Sequence, residues 1–285
     1  MKQGWLNGFL GMVIFAGSLP ATRLAVAGFS PTFLTCARAT IAGVLGLALL
    51  IGFRERRPAR ADLRAFFLVA LGVVVGYPLL SALALQHISS ARSIVVLGLL
   101  PLATAVFGVM RGAARPRPAF WLFSGMGSAC IAGFAASGGG GLASWKGDGL
   151  MLAAIALCAV GYAEGARLTG RFGGWQVISW ALVLSLPVMI PLMLLTAPPS
   201  LVGVGLSAWA GLAYVSLFSM LLGFVFWYRG LDLGGIAAVS QLQLVQPFLA
   251  LTLAALLLHE TIELRMLVAS VGAMLCVAGA KRFAR

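Results

Sequence analysis

Apolar residues fill ten stretches of the chain, and each stretch is 17 to 23 residues long. A helix needs about 20 residues to cross a hydrocarbon core of about 30 Å. The pattern therefore predicts ten transmembrane helices joined by short polar or arginine-rich loops. The predicted spans are 5–21, 31–52, 66–85, 90–110 and 120–137, followed by 148–167, 175–195, 208–228, 236–258 and 263–280.

The ten spans divide into two halves of five. Residues 1–137 and 148–285 form the predicted repeats, and residues 138–147, which begin with a run of glycines, form the linker. The stretch 89–110 of the first half aligns without gaps on the stretch 235–260 of the second when Pro101 is placed on Pro247, an offset of 146 residues. Since five is odd, the second copy enters the membrane from the opposite side. We therefore predict an all-α integral membrane protein whose two inverted five-helix repeats surround a central cavity, an architecture typical of alternating access.

Composition agrees with a membrane protein. Hydrophobic residues make up 61% of the chain and charged residues 9%, and the mean hydropathy is +1.03, which excludes a soluble domain. The net charge of +13 does not indicate nucleic-acid binding, because the basic residues lie between apolar spans rather than in one patch. Fifteen of the 20 Lys and Arg residues fall on one side of the predicted topology, which places both termini in the cytoplasm.

The side chains needed for catalysis or metal binding are not grouped in this sequence. His87 and His259 fall at span ends, without paired carboxylates or an HxxxH pattern nearby. The cysteines lie inside apolar spans at unrelated spacings and are interpreted as packing residues: Cys36, Cys130, Cys158 and Cys276. We therefore predict no enzyme activity, no cofactor and no metal.

The ninth span combines an apolar stretch with amide side chains. At about 100° per residue, Ser240 and Gln243 share one face with Pro247, while Gln246 lies at the edge of that face and Gln241 points away. Buried amides need partners in hydrocarbon, and polar groups there tend to be functional. We predict that Ser240, Gln243 and Gln246 line the cavity. The alternative is that these amides only hydrogen-bond neighbouring helices.

Two prolines occupy matching positions in the repeats, Pro101 in the fourth span and Pro247 in the ninth. A proline frees a backbone carbonyl and bends a membrane helix. We predict that both are conformational residues about which the repeats bend.

Further cavity residues are predicted on the second, third and sixth spans. Tyr77 and Ser81 share a face, and Tyr162 lies deep in its span. A tyrosine ring at such a place stacks on a bound molecule or packs between helices. Arg38 lies about 10 Å inside the second span, with no acid within one helical turn. Its guanidinium either clamps a substrate carboxylate or bonds helix-end carbonyls or an acid of another helix, such as Asp148.

The middle of the spans holds no acidic residue. Glu164 is the one carboxylate well inside a span, and Arg167 follows three residues later, so we predict an ion pair rather than a proton carrier. The absence favours neutral or zwitterionic substrates over lipophilic cations.

The predicted partners are the lipid bilayer and a small-molecule substrate. Small residues also recur at every fourth position of the fifth and tenth spans, which predicts close-packed faces that serve either the scaffold or a homodimer.

Two segments resemble a known family. Arg23-Leu-Ala-Val-Ala-Gly-Phe-Ser-Pro31, followed by Arg38, resembles the opening of an EamA-type half in the drug/metabolite transporter superfamily. Leu258-His259-Glu260 resembles the end of the second half, where Leu-Gly-Glu is usual. The sequence departs from that pattern at His259, which replaces glycine, and after the fourth span, where Arg111 and Ala114 stand in place of an acid.

This resemblance covers the whole chain and implies a secondary carrier of a bacterial inner membrane, in a family that includes many exporters. The aromatic amino acid exporters are the most similar in overall character. The resemblance implies export of small amphipathic metabolites by alternating access, with amino acids bearing apolar or aromatic side chains as the expected substrates. The alternatives are a multidrug carrier, a carrier of another metabolite such as a nucleoside or sugar phosphate, and a channel.

Overall fold

The computed structural model describes residues 2–110, 117–137, 142–234, 242 and 246–283. Within these residues the chain is helical and contains no strand. Six of the described helices are long and apolar enough to cross a membrane, and shorter apolar helices accompany them. The all-α membrane fold predicted from the sequence is therefore confirmed.

The first half begins with a broken helix, α1 and α2, that continues past the predicted end of the first span. At the start of α3, the Ser30 side chain accepts a hydrogen bond from the backbone N–H of Phe33 (3.2 Å), and Pro31 takes the first helical position, where a missing N–H costs nothing. The elements of this half are α1 Lys2–Ala16, α2 Ser18–Ala25, α3 Pro31–Gly52, a 3₁₀ turn Arg60–Asp62, α4 Leu63–Val69, the π-helix π1 Ala70–Gly76, α5 Tyr77–Ala84, α6 Ser90–Leu97, α7 Leu100–Met110 and α8 Pro118–Ser137.

The second half begins with a helix that is longer than the span predicted for it. Its elements are α9 Leu142–Phe172, α10 Gly174–Leu195, α11 Leu206–Ala213, the π-helix π2 Tyr214–Leu222, α12 Gly223–Gly234, α13 Gln246–Leu258 and α14 Leu264–Arg282. Helix α9 starts inside the predicted linker, 138–147, and runs past the predicted end of the sixth span at residue 167. The glycine run 138–141 lies outside the described residues.

The two π-helices interrupt the third and eighth spans at matching places. Shifting π1 by the 146-residue offset of the repeat gives 216–222, which falls inside π2. A π-helix is rare and is frequently found at functional sites. The two halves therefore share the same local departure from α-helical geometry.

The helices of one half pack mainly against those of the other. Helix α3 packs against α10, α1 against α12, α8 against α14, and α9 against π1 and α5. The contact of α1 with α12 is a contact between the first and eighth spans. In the repeat, the first span corresponds to the sixth and the eighth to the third. The contact of α9 with π1 and α5, between the sixth and third spans, is therefore the symmetry-related one. The halves therefore interlock as one bundle.

The small residues of α8 and α14 pack against each other within the chain. A Cβ added at Gly127 would lie 3.0 Å from Cβ of Cys276, and one added at Gly279 would lie 2.7 Å from the Phe123 ring. In contrast, a Cβ added at Gly125 or Gly133 would meet nothing within 4 Å. Parts of both faces thus serve the scaffold, whereas the homodimer through the fifth and tenth spans stays a prediction.

Candidate functional site

A cavity of about 40 Å³ lies where the two halves meet. This volume has room for about three water molecules. The first half contributes Phe15, Ser18, Arg38, Val73, Tyr77, Pro78, Leu97 and Leu100, and the second half contributes Cys158, Tyr162, Ser219, Met220, Phe224 and Gln246. Both halves thus share one central, largely apolar site with a few polar groups, which is the usual composition of a small-molecule site.

Arg38 is the charged group of this cavity, and only 5% of the residue is exposed. Its Nη2 donates a hydrogen bond to Oγ of Ser219 at 3.3 Å. The Ser219 hydroxyl in turn lies 2.5 Å from that of Ser18. The buried Nε of Arg38 has no hydrogen-bond partner among the described residues. Arg38 therefore presents free donor capacity in the cavity.

Six acids whose side chains the structure describes are engaged elsewhere; the side chain of Asp232 lies outside that set. In particular, Asp148, a predicted alternative partner of Arg38, is bound by Arg92 with Nη2 to Oδ2 at 2.6 Å and Nε to Oδ1 at 2.9 Å. The acids and their partners are Glu55 with Gln176, Asp62 with Arg171, Asp148 with Arg92, Glu164 with Arg167, Glu260 with the backbone of Ser90 and Ala91, and Glu263 with Arg265. None of these six carboxylates neutralises Arg38.

Aromatic rings form the wall beside this charge. The rings of Phe15 and Phe224 meet edge to face with centroids 5.0 Å apart, and Tyr162 meets Phe224 at 6.2 Å. Such contacts fix the orientation of rings in a packed site. The cavity thus combines the positively charged Arg38 side chain with an aromatic surface that suits an apolar side chain.

The structure brings together four of the residues predicted from the sequence. Arg38, Tyr77, Tyr162 and Gln246 all line the cavity. Ser81 is not among the lining residues, and its hydroxyl donates to the carbonyl of Pro78 within its own helix (3.2 Å). The other two, Ser240 and Gln243, lie outside the described residues, as does Gln241.

Pro101 sits at a helix start rather than in the middle of a long helix. Pro101 is the second residue of α7, just after the break that separates α6 from α7. Pro247 lies in α13, and residues 243–245 just before this helix lie outside the described residues. A proline in the first turn costs no hydrogen bond. The bend in the fourth span therefore precedes Pro101, and the conformational role of both prolines stays a prediction.

The predicted ion pair of α9 is present. Nη1 of Arg167 lies 3.1 Å from Oε2 of Glu164, whose side chain is buried. Glu164 does not line the cavity. The prediction of an ion pair at this position is therefore confirmed.

Several lining residues were not predicted from the sequence, above all Ser18 and Ser219. Serine and threonine hydroxyls in membrane helices usually donate to a carbonyl of the preceding turn, as Ser216 does to Leu212 at 2.6 Å. Ser219 instead faces Ser18 and Arg38 across the bundle. The only sequence signal is the position of Ser219 in the part of the eighth span that matches π1.

Polar contacts from three other elements converge on residues 85–92, which we call the α5–α6 turn. Arg23 donates from α2 to the carbonyl of Leu85. The carboxylate of Glu260, which follows α13, accepts from the backbone N–H of Ser90 (3.0 Å) and of Ala91 (2.7 Å) at the start of α6. The bidentate pair between Arg92 and Asp148 adds α9 to this set. The turn thus ties both halves together at one end of the bundle.

Known proteins are similar to this chain in sequence and in fold. The model of the EamA-like transporter family matches residues 2–135 and again residues 145–280. A protein described as "Uncharacterized transporter YdeK" from Bacillus subtilis (strain 168) is 60% identical over 283 residues, which are 99% of this chain and 98% of that protein. A solved structure described as "Crystal structure of protein" has a TM-score of 0.68 and 19% identity over 97% of both chains, a likeness of fold alone.

Proposed function

The chain belongs to the EamA-like transporter family, with one family domain in each half, and on this premise we propose that it is a secondary carrier that exports small amphipathic metabolites by alternating access. The family match confirms the resemblance found in the sequence, and the chain is a multi-pass membrane transporter. The proposed substrates are amino acids with apolar or aromatic side chains. The proposed location is a bacterial inner membrane.

The proposed substrate class rests on the burial and incomplete hydrogen bonding of Arg38. A guanidinium is costly to bury in a membrane protein unless it is paired. Here one N–H group binds the Ser219 hydroxyl, and the buried Nε has no partner among the described residues. A carboxylate matches a guanidinium in charge and in its planar, two-oxygen geometry. Arg38 therefore favours a substrate that carries a carboxylate.

The remaining walls suit the rest of an amino acid. Phe15 and Phe224 offer an aromatic surface to an apolar side chain. Gln246 and Tyr77 supply oxygen atoms for the ammonium group. Lipophilic cations fit less well, because the one charge among the described lining residues is positive.

Transport by purified protein in liposomes tests this proposal. We expect vesicles preloaded with phenylalanine or leucine to take up the labelled amino acid faster than empty vesicles, since a carrier exchanges substrate across the membrane. Phenethylamine, which is phenylalanine without its carboxylate, should be transported at background rates. Replacing Arg38 with Gln should lower amino acid transport at least about tenfold, the loss expected for one charge-assisted hydrogen bond.

The matched control is Arg56→Gln, which removes the same charge from an exposed loop position outside the cavity and should transport normally. Equal transport of phenethylamine and phenylalanine would overturn the carboxylate assignment. Uptake that does not respond to preloading and exceeds carrier rates would indicate a channel instead.

A further inference from the structure

A second concavity, distinct from the cavity, opens on the outside of the bundle where α3 ends beside α10. Its volume is about 510 Å³, and we call it the α3–α10 groove. It is lined by Leu47, Leu50, Ile51, Arg54, Glu55, Arg57, Trp180 and Val183. None of these residues lines the cavity between the halves. The transport mechanism therefore leaves the groove without a role.

One end of the groove is positively charged. Arg54 and Arg57 are exposed, and neither forms an ion pair with another described residue. Glu55 lies on the same wall and accepts a hydrogen bond from Nε2 of Gln176 at 3.1 Å. The loop's other acid, Asp62, is paired with Arg171 at 2.7 Å. This wall therefore carries two unpaired guanidinium groups and one hydrogen-bonded carboxylate. Its net charge is positive, so it can bind an anion.

The backbone fixes Arg54 at the end of α3. Its φ is 53°, in the left-handed region. The N–H of Glu55 bonds the carbonyl of Leu50 (2.9 Å), and the N–H of Arg54 bonds that of Ile51 (3.0 Å). Hydrogen bonds of this kind close the C-terminus of a helix around a left-handed residue. The start of the Arg54 side chain is thus held at the mouth of the groove rather than on a loose loop.

The other end of the groove is apolar and open to the membrane. Ile51 is 68% exposed although it belongs to a membrane-spanning helix. Leu47, Val183 and the partly exposed ring of Trp180 continue the same surface. Tryptophan is enriched where a membrane protein meets the boundary between lipid headgroups and acyl chains. The groove therefore offers acyl-chain contacts directly beside its cationic end.

We propose that the α3–α10 groove binds one anionic phospholipid, with its phosphate on Arg54 and Arg57 and an acyl chain along Leu47, Ile51 and Trp180. The charge pattern predicts that this end of the bundle faces the cytoplasm, where basic pockets between helices hold acidic headgroups. A soluble anion would use the arginines alone, whereas a zwitterionic lipid brings, beside its phosphate, an ammonium group that the guanidinium groups repel. A site built from both the arginines and the apolar wall selects an anionic lipid.

Native mass spectrometry of the purified full-length protein tests this site. The protein is equilibrated in detergent with equal amounts of dioleoyl phosphatidylglycerol and dioleoyl phosphatidylcholine. We expect the wild type to retain one phosphatidylglycerol in preference to phosphatidylcholine. The variant Arg54→Gln/Arg57→Gln should bind phosphatidylglycerol about tenfold more weakly.

The matched control is Arg56→Gln/Arg60→Gln, which removes the same charge from the same loop at exposed positions outside the groove and should retain the lipid. A second variant, Ile51→Glu, keeps both arginines and places a carboxylate in the path of the acyl chain. It should also lose the lipid, so the test does not depend on the arginine variant folding well.

Three results would overturn the proposal. Equal loss in the control variant would mean that diffuse loop charge binds the lipid. Equal retention of phosphatidylcholine by the wild type would mean that the groove has no headgroup preference. Displacement of the lipid by millimolar glycerol 3-phosphate would mean that the arginines bind a soluble anion and the apolar wall adds nothing.

Discussion

Arg38 shows how a single buried residue favours one class of ligand. Removing a guanidinium from water costs several kcal/mol, and one hydrogen bond to a serine hydroxyl recovers only about 1–3 kcal/mol. A ligand with a carboxylate can recover the remaining free energy, because it accepts the hydrogen bonds that Arg38 does not make within the protein. A neutral ligand of the same shape would leave the cost in place.

His259 is strained by its backbone conformation. Its φ is 53°, and this left-handed conformation costs an L residue about 1–2 kcal/mol that glycine avoids. Glycine also raises the entropy of the unfolded chain, so the net gain is smaller. We predict that His259→Gly stabilises the protein by about 1 kcal/mol, which raises Tm in a detergent melt by about 2–4 °C.

His87 provides the control for this substitution. It also lies in a short connection between spans, but among described residues other than glycine only Arg54 and His259 have a positive φ. His87→Gly should therefore lower Tm, because it adds freedom to the unfolded chain without relieving strain. A fall in Tm for both variants would contradict the strain at His259.

The serines show the limit of sequence reasoning at this scale. Arg38 and Tyr77 could be predicted because a charge or a tyrosine inside an apolar span has few uses. A serine has two: it can bond its own helix, as Ser81 and Ser216 do, or reach across the bundle, as Ser219 does. Which of these occurs depends on the neighbour it meets in the fold, which one sequence does not reveal.

Among the elements, the α5–α6 turn depends on one carboxylate from the other half. Both oxygens of Glu260 accept N–H groups at the start of α6, where the helix dipole also favours a negative charge. In the first half the matching position holds Ala114 rather than an acid. The sequence therefore provides this carboxylate at one end of the bundle and not at the other.

We predict that Glu260→Gln loosens the outer end of the bundle. An amide has one acceptor oxygen, so one N–H of α6 loses its partner and the interaction with the helix dipole is lost. Cys158, which lines the cavity and is 2% exposed, reports the change once the other cysteines are replaced by Ser. Its modification by a membrane-impermeant thiol reagent, added outside intact cells, should become about tenfold faster.

Glu263→Gln serves as the control for this measurement. Glu263 lies in the same connection but pairs with Arg265 at the exposed surface. Its loss should leave the labelling rate of Cys158 unchanged. Equal rates for wild type and Glu260→Gln would show that the carboxylate does not hold the turn closed.

The π-helices explain why the helix positions were easier to predict than the faces of the helices. Hydrophobic length alone predicts the spans, and α3 Pro31–Gly52 coincides with its predicted range. The prediction of shared faces assumed about 100° per residue, whereas a π-helical turn has a wider repeat. Tyr77 directly follows π1, so the residues that join it in the cavity depend on a backbone irregularity that hydropathy does not encode.

At the scale of the whole molecule, the two halves share one site but differ in charge at their ends. The family model matches each half separately, and both halves line the cavity. The segments that should face the cytoplasm carry 15 of the 20 Lys and Arg residues. This asymmetry fixes the orientation of a membrane protein during insertion.

We predict that both termini face the cytoplasm. A green fluorescent protein fused after Arg285 should fluoresce, and alkaline phosphatase at the same position should be inactive, because the phosphatase folds only outside the cytoplasm. Phosphatase fused after residue 87, in the α5–α6 turn, should be active and provides the control. An active fusion at Arg285 would overturn the assigned orientation.

The small volume of the cavity has a consequence for binding measurements. A space of about 40 Å³ is too small for an amino acid, given that a cavity of roughly 150 Å³ holds benzene. The cavity must therefore widen before an amino acid can bind in it. The measured dissociation constant then equals the intrinsic one divided by the fraction of molecules that are already open. Substitutions far from the cavity that favour opening will strengthen apparent affinity without touching the ligand.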